Sequence, residues 1–457
     1  MDYFSLLLKR TNRVLSISRY LFNLWSTLKN EREKSKKYDY SIISDSSKEG
    51  IQPQTFEYST DRLAFISILP PDESGIATYS LKTFSEKNID LPVDLYCPFK
   101  SENHKLNNKK EIKNKFVKLH SLQNFFDNNE VYKYSVIFIA VGGSCHHAYI
   151  INLLKEIREH NLLNKVYLYL HDLHFRDFFM FYSGMNIWKF AITNMQLYGD
   201  PRYRDCSIGS LINILRALNQ LQLNYNLGLR FFQKLGITHF LVNSEAAKEL
   251  LSNDLDKSSP FIIEKVFLPV LPISSDIDSS IILKESGYVY IGSFGIPSAG
   301  KCTPQLIRAI EELNNNGYKI KLIIAGWNAF NYMKSNKINK DWLLVFDSLK
   351  ENELITLMSQ MDLAIQLRSM NGGESSGCVP MLISCTVPTI VSNVGSFAEY
   401  GAEVIKFKGN VECDLANFIG KVLDGGIHNA VDIKAMHKYV IKHQPKEFVK
   451  KLFSLAH

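Results

Sequence analysis

Residues 363–377 read LAIQLRSMNGGESSG, a short apolar run followed by a glycine-bounded loop that holds one arginine and one glutamate. The apolar run at 363–367 predicts a buried strand, and residues 376–384 read as the helix that follows it. A strand, loop and helix of this kind form one βα unit of a parallel sheet. Ligands of such sheets collect beyond the carboxyl ends of the strands, so the loop at 368–377 is the first candidate for a functional site.

The same βα rhythm extends over most of the chain in two series. The first series predicts strands at 63–69, 93–97, 135–141, 166–170, 238–242 and 265–268. The second series predicts strands at 288–291, 320–325, 342–346, 363–367 and 389–392, with helices at 301–314 and 351–361. Residues 269–286 have no clear period and separate the two series. We therefore predict an α/β protein in which two Rossmann-like domains face each other across a cleft.

Length and composition exclude several classes of protein. A chain of 457 residues that is 46% hydrophobic and 22% charged is neither a single small module nor a disordered or collagen-like protein. A net charge of +7 does not by itself imply a nucleic-acid partner. The seven cysteines include no C-x-x-C pair, which favours reduced thiols, and no apolar run approaches the roughly 20 residues of a membrane span. These features predict a cytoplasmic protein.

The first forty residues differ from the rest because basic residues outnumber acidic ones. Apolar residues at helical spacing between Leu7 and Leu28 predict an amphipathic helix with one basic face. That helix could bind the inner face of a membrane through residues 1–37, or it could pack on the protein's own body. The predicted division is a basic helix and linker at 1–55, domains at 56–275 and 276–430, and a C-terminal helical segment at 431–457.

Six segments carry most of the polar residues expected at strand ends. They are 69–80, 142–147, 171–174, 292–301, 367–377 and 394–399. Their residues and their order resemble the retaining glycosyltransferases of family 4, which have the GT-B architecture, and the resemblance spans residues 62–407. It implies that the first domain binds the acceptor and that the second binds the nucleotide-sugar donor. The N-terminal amphipathic helix would then be an addition to that architecture.

In the first domain, the resemblance points to two loops and one histidine pair. It places Ser74 and Gly75 beside the donor diphosphate and the acceptor, where a helix N-terminus can bind phosphate; a tight turn that needs glycine is the alternative. It assigns His171 and Asp172 a catalytic role near the donor sugar, since histidine can share a proton near neutral pH; a structural histidine is the alternative. His147 matches a family histidine that would contact the donor or the acceptor.

In the second domain, Gly292, Ser293, Gly295 and Lys301 would place flexible backbone and one cation at the donor phosphates. Many relatives in the family carry an arginine five residues before this lysine, where this chain has Ile296. The resemblance therefore leaves the usual pair of cations incomplete.

Arg368 is the candidate for a substitute cation, and a surface ion pair is the alternative for this residue. Glu374 matches a catalytic-site glutamate that contacts donor sugar hydroxyls in the family, and Ser375, Ser376 and Gly377 would offer N–H groups to phosphate. The family's second glutamate, which binds the ribose, is missing, because Met381 and Leu382 occupy the corresponding positions. Glu399 is a further candidate for donor or acceptor contact.

The resemblance implies transfer of a sugar from a nucleotide-sugar donor to a hydroxyl of a saccharide or lipid-linked acceptor, with retention, in surface polysaccharide or glycoconjugate assembly. The nucleotide sugar is a substrate of unknown base, and neither a cofactor nor a metal is expected. Two rivals stay open: a catalytically impaired binding or scaffold subunit, and another sugar-nucleotide enzyme such as an epimerase. Nucleic acid is not an expected partner, because basic residues cluster only at the N-terminus.

Overall fold

A computed structural model describes residues 62–72, 74–175, 178–179, 228–271, 273 and 281–456. The predicted N-terminal amphipathic helix and linker at 1–55 lie outside the described residues. The described chain forms two parallel β-sheets, each covered by helices, so the α/β prediction with two Rossmann-like domains is confirmed.

The first domain contains a seven-stranded parallel sheet. Its strands are β1 (Leu63–Ile66), β2 (Val93–Cys97), β3 (Val117–Ser121), β4 (Ile137–Val141), β5 (Val166–Leu170), β6 (His239–Val242) and β7 (Ile262–Lys265). They lie in the order β3-β2-β1-β4-β5-β6-β7. The described helices of this part are α1 (Gly75–Ser85), α2 (Glu102–Glu111), α3 (Ile150–Glu159), α4 (Arg230–Leu235) and α5 (Glu245–Asp254).

The second domain contains a six-stranded parallel sheet. Its strands are β8 (Val289–Phe294), β9 (Ile320–Ala325), β10 (Leu343–Phe346), β11 (Leu363–Gln366), β12 (Thr389–Ser392) and β13 (Ile405–Phe407). They lie in the order β10-β9-β8-β11-β12-β13. The described helices here are α6 (Thr303–Asn315), α7 (Ala329–Ser335), α8 (Glu351–Ser359), α9 (Cys378–Ser384), α10 (Leu415–Asp424) and α11 (Ile433–Lys442).

The helices pack on the sheets through apolar stripes at helical spacing. In α3, Ile150, Leu153, Leu154 and Ile157 repeat at intervals of three and four residues, and all four side chains are buried against the first sheet. Central strands such as β4 are buried along their whole length, which explains their continuous apolar sequence.

The last helix returns to the first domain. Met436 of α11 packs in the core of the second domain, whereas Phe448 and Leu452 of α12 (Pro445–Ala456) pack beneath the first sheet. At the crossing, Val270 N donates a hydrogen bond to His443 O at 2.7 Å. The chain therefore passes between the domains twice, at two adjacent points. Among the described helices, none combines the length and apolar character that crossing a membrane requires.

Most predicted strands are confirmed, including those at 93–97, 166–170, 320–325 and 389–392. The strand predicted at 265–268 is wrong, because β7 ends at Lys265. The apolar character of the next residues serves another contact: the Phe267 ring lies 6.1 Å from the Phe448 ring, beneath the returning helix.

Candidate active site

Each sheet reverses its strand order beside its first strand, between β1 and β4 in the first domain and between β8 and β11 in the second. Neighbouring connections leave such a point on opposite faces of the sheet, which opens a crevice at the carboxyl ends of the strands. Loops of the two domains touch there. A Cβ added to Gly373 would lie 2.5 Å from Leu173 Cδ1, and one added to Gly377 would lie 3.6 Å from Tyr79 Cε2. The predicted loops therefore meet in one cleft.

The loop after β1 presents an open helix N-terminus. Ser74 Oγ accepts a hydrogen bond from Ile76 N at 3.3 Å and caps α1. A Cβ added to Gly75 would meet no atom within 4 Å, so crowding does not require glycine at this position. The first turn of α1 carries no acidic side chain, and the positive end of its dipole favours an anion.

Asp172 joins the loops that follow β4 and β5. Its two carboxylate oxygens accept from Gly143 N at 3.0 and 3.1 Å. A Cβ added to Gly143 would lie 2.0 Å from His174 O, so this close approach requires glycine. Asp172 therefore holds the loop that carries His171 against the neighbouring loop.

Two histidines at these strand ends are held neutral. His171 packs against the Tyr169 ring with the ring centroids 4.2 Å apart, and burial lowers the pKa of His171 to about 3. Burial, together with nearby His171 and His146, lowers the pKa of His147 to about 3 as well. No described residue forms a hydrogen bond with His171 Nε2 or with either ring nitrogen of His147.

The complete burial of His147 argues against the predicted contact with donor or acceptor. The short 3₁₀ helix Cys145–His147 turns this side chain into the interior, where none of its surface is exposed. A Cβ added to Gly142 would lie 3.5 Å from His147 Nε2, so the ring instead supports the backbone behind the cleft.

Gly292 and Ser293 lie within β8 rather than in the loop predicted for them. A Cβ added to Gly292 would lie 2.7 Å from Met361 Cγ, so the glycine makes room for core packing. The chain turns only at Gly295, where φ is +96°. Gly292 and Ser293 therefore belong to the strand, and Gly295 occupies the strand end.

Lys301 places its ammonium against this turn. A Cβ added to Gly295 would lie 2.8 Å from Lys301 Nζ, and burial is the main cause that lowers the pKa of Lys301. Arg368 lowers this pKa further, while Cys378 and Glu374 oppose the shift. Nζ forms no hydrogen bond or ion pair with the described residues. A desolvated cation without a partner favours an anionic ligand at this strand end.

Arg368 and Glu374 pair with each other across the loop after β11. Arg368 Nε donates to Glu374 Oε1 at 2.9 Å, and the guanidinium lies 5.0 Å from the Phe397 ring centre. The Arg368 side chain is 12% exposed, whereas that of Glu374 is 46% exposed. The structure thus places the predicted substitute cation in an ion pair at the cleft.

Helix α9 begins at Cys378, not at residue 376 as predicted. Ser375, Ser376 and Gly377 therefore belong to the loop that precedes the helix. Ser376 is buried, and Ser396 Oγ donates to Glu374 O at 2.9 Å. The loops after β11 and β12 are therefore bound to each other.

Glu399 makes a contact between the domains. Its Oε1 accepts from Ala246 N at 3.0 Å, in the first turn of α5, and its Oε2 lies 3.5 Å from Lys265 Nζ. The carboxylate thus interacts with the positive end of a helix in the first domain. The Glu399 carboxylate, which the sequence suggested for ligand contact, is therefore already bound to groups of the protein.

Sequence reasoning missed several cleft residues. Asn371 Nδ2 donates to Ala246 O at 3.4 Å and links the domains. Tyr79 Oη donates to Pro269 O, where the chain leaves the first domain. Trp327 and Phe330 follow β9, which neighbours β8, and their side chains are 55% and 58% exposed. An aromatic residue directly after an apolar strand was the available signal for Trp327.

The described residues contain no cluster of three or more His, Cys, Asp or Glu side chains that could hold a metal ion.

The arrangement of the two domains is the GT-B fold. A crystal structure of Anabaena HepE in complex with UDP and glucose is similar with a TM-score of 0.51, covering 86% of this chain and 98% of that chain at 11% identity. Trehalose-6-phosphate synthase OtsA is similar with a TM-score of 0.54 over 86% and 98%, also at 11% identity. The N-terminal domain of Candida albicans trehalose-6-phosphate phosphatase gives 0.52 over 90% and 99%, at 13% identity. No protein-family model and no curated protein sequence matches this chain.

Proposed function

We propose that this protein transfers a sugar from a nucleotide-sugar donor to a hydroxyl of an acceptor. The observation that carries the proposal is the unpaired, largely buried ammonium of Lys301 at the end of β8, on the second domain's side of a two-domain cleft. In the proposal this cation binds the donor diphosphate, where negative charge builds as the sugar leaves. Structures that share the fold hold UDP and glucose, which supports a nucleotide-sugar ligand.

In the proposed reaction the acceptor oxygen attacks the anomeric carbon while the bond from that carbon to the diphosphate oxygen breaks. The acceptor proton passes to the leaving phosphate oxygen on the same face, so the anomeric configuration is retained. Lys301 and the N–H groups at Ser375, Ser376 and Gly377 stabilise the diphosphate. The exposed Trp327 ring stacks on the donor base.

The other predicted residues take supporting places in this proposal. His171, held neutral at the end of β5, is the residue that the proposal places at a donor sugar hydroxyl. Asp172 is a positioning residue, since it binds Gly143 N and holds the histidine loop. Glu374 contacts the donor sugar, and Ser74 with Gly75 faces the diphosphate or the acceptor.

The second candidate is a binding or scaffold subunit without turnover. Three observations favour it: Arg368 and Glu374 neutralise each other, Ile296 stands in the place of the usual arginine, and Leu382 is completely buried. The Leu382 side chain faces the core, so no group at that position can contact a ribose.

We further propose a saccharide or lipid-linked acceptor, with hexosyl transfer in surface polysaccharide or glycoconjugate assembly at the cytoplasmic face of a membrane. The basic residues and helical apolar pattern of residues 1–37 support a membrane contact. Deleting residues 1–40 should abolish cosedimentation with anionic liposomes; unchanged cosedimentation would remove this part of the proposal.

Nucleotide release from UDP-, GDP-, ADP- and TDP-sugars tests the main proposal, with membrane extract supplied as the acceptor source. We expect release with one donor, and its loss in Lys301→Ala and Glu374→Ala. The exposed Lys319→Ala is the matched control and should release nucleotide as the wild type does. Binding of a nucleotide sugar without release from any donor would support the scaffold candidate instead, and a changed sugar without transfer would indicate an epimerase.

A further inference from the structure

A ligand-sized space lies where the two domains meet, beside the returning C-terminal helices, and it adjoins the proposed diphosphate site, because Ser375 and Ser376 line it too. It is a cavity of about 530 Å³, lined from the first domain by Asn243 and Phe267 and from the second by Ser376 and Tyr400. Ligand sites for small molecules usually have volumes of about 300 to 1,000 Å³. Its volume and its position between the domains are therefore those of a binding site.

Three lysines at this cavity have no counter-charge. Lys438 and Lys442 on α11 and Lys451 on α12 line it, and none of them forms an ion pair with a described residue. Lys438 and Lys442 are one helical turn apart, so their side chains lie on the same side of α11. Like charges held together in this way favour an anionic ligand between them.

The acidic residues of the cavity do not neutralise these lysines. Glu399 is engaged by Ala246 N at 3.0 Å and by the ammonium of Lys265, a fourth lining lysine, at 3.5 Å. Glu403 is 9% exposed and accepts from Gly401 N at 2.8 Å. The four lysines that line the cavity therefore outweigh the charge of its two glutamates.

One wall of the cavity is aromatic. The ring centroids of Tyr400 and Tyr439 lie 5.6 Å apart, and Tyr439 stacks on His443 at 3.9 Å. Phe267 continues this wall, 4.9 Å from His443. Aromatic faces pack against the C–H faces of sugar rings, while hydroxyls need polar partners such as those offered by serine and asparagine.

Polar groups suited to hydroxyls are present. Ser244 and Ser376 line the cavity and are 1% and 7% exposed. Asn243 Nδ2 donates to Tyr169 Oη at 2.6 Å, whereas the buried Asn243 Oδ1 has no hydrogen-bond partner among the described residues. An unpartnered buried acceptor is costly and favours a donor group supplied by a ligand.

From these observations we infer that the cavity binds a phosphorylated saccharide, with its phosphate between Lys438 and Lys442 and its sugar against the wall of Tyr400 and Tyr439. The inference goes beyond the proposed transfer reaction, because it concerns binding and does not use Lys301. The aromatic wall and the buried hydroxyl partners favour a sugar over a bare phosphate.

Calorimetric titration of the full chain tests this inference. The probes are the 1- and 6-phosphates of glucose, galactose and mannose, the three parent hexoses, and inorganic phosphate. We expect at least one hexose phosphate to bind, with its parent hexose and inorganic phosphate each bound at least about tenfold more weakly. Absence of binding by all six hexose phosphates, or equal binding of the parent hexose, would overturn the inference.

Variants locate the site. Lys438→Ala with Lys442→Ala should weaken hexose phosphate binding at least about tenfold, and Lys438→Arg with Lys442→Arg should retain it. The matched control changes the exposed Lys434 and Lys421 to alanine, which removes the same charge outside the cavity and should leave binding unchanged.

Lys301→Ala separates this inference from the proposed function. We expect it to abolish nucleotide release while hexose phosphate binding persists, since Lys301 does not line the cavity. Hexose phosphate binding that is lost in Lys301→Ala but kept in the Lys438 and Lys442 double variant would place the ligand at the donor loop and overturn the inference.

Discussion

Arg368 Nε donates a 2.9 Å hydrogen bond to Glu374 Oε1, so two residues with separate candidate roles form one ion pair. The Glu374 side chain remains 46% exposed. Half-exposed pairs of this kind contribute little to folding, because water and salt screen them. The pair is therefore more important for the shape and charge of the cleft than for stability.

A double-mutant cycle separates these two roles. Arg368→Ala and Glu374→Ala, alone and combined, should show a coupling energy below about 1 kcal/mol in urea unfolding. In nucleotide release, each single variant should lose about tenfold or more, because each removes the loop geometry that the pair maintains. A stability coupling above about 2 kcal/mol would instead show a structural pair.

The turn at Gly295 offers a test of the Lys301 position. Gly295→Ala should lower the free energy of unfolding by about 1–2 kcal/mol, since φ is +96°, and should also displace the ammonium that lies 2.8 Å from the new Cβ. Gly317→Ala is a close control, because its φ is +94° and no atom lies within 4 Å of its added Cβ. We expect both variants to lose similar stability, but only Gly295→Ala to lose nucleotide release. Equal release by the two variants would contradict the placement of Lys301 at the phosphates.

The neutral histidines predict acid sensitivity. The pKa of His147 is lowered to about 3 in the folded protein, so between pH 7 and 5 the unfolded chain binds a proton that the folded chain does not. The free energy of unfolding therefore falls as the pH decreases from about 6.5, the pKa of histidine in the unfolded chain, towards 3, the pKa of His147 in the folded protein. His147→Phe should reduce the loss of unfolding free energy between pH 7 and 5 by about 2 kcal/mol, measured by urea unfolding. An unchanged pH profile in His147→Phe would show that the folded protein binds this proton as readily as the unfolded chain does.

The contact of Glu399 with the first turn of α5 predicts a local effect on backbone exchange. Glu399→Ala removes the acceptor of Ala246 N–H, so hydrogen exchange at that amide should accelerate about tenfold, equivalent to about 1.4 kcal/mol. Glu412→Ala removes an exposed ion pair with Arg308 inside the second domain and should leave that amide unaffected. Unchanged exchange at Ala246 in the Glu399 variant would mean that the interdomain contact does not persist in solution.

The fold was predictable from sequence because buried parallel strands leave a plain signal. Runs such as 166–170 and 320–325 are apolar along their length, since both faces of the sheet are covered. Edge strands were missed for the opposite reason: β3 (Val117–Ser121) carries polar residues and is partly exposed, and β13 (Ile405–Phe407) has only three residues. Short or half-exposed strands do not produce a continuous apolar run.

The candidate site was predictable as a set of loops but not as a set of contacts. Strand ends located Lys301, His171 and Glu374 at the cleft, because the topology dictates where strands end. The burial of His147 and the engagement of Glu399 by α5 depend on residues far away in sequence, which a local pattern does not reveal. Tyr79 was missed for the same reason, since its partner Pro269 is 190 positions away.

The bond of 2.7 Å from Val270 N to His443 O ties together the two points at which the chain passes between the domains. Two adjacent crossings constrain the relative motion of the two domains far more than one flexible linker does. The low-energy motion that remains is rotation of the domains about a common hinge at the crossings. Opening and closing of the cleft is therefore expected to be a swivel about this hinge. Removing α12 would remove one of the two crossings. It would also expose the first-domain core residues that Phe448 covers, so truncation could not isolate either domain as an independent unit.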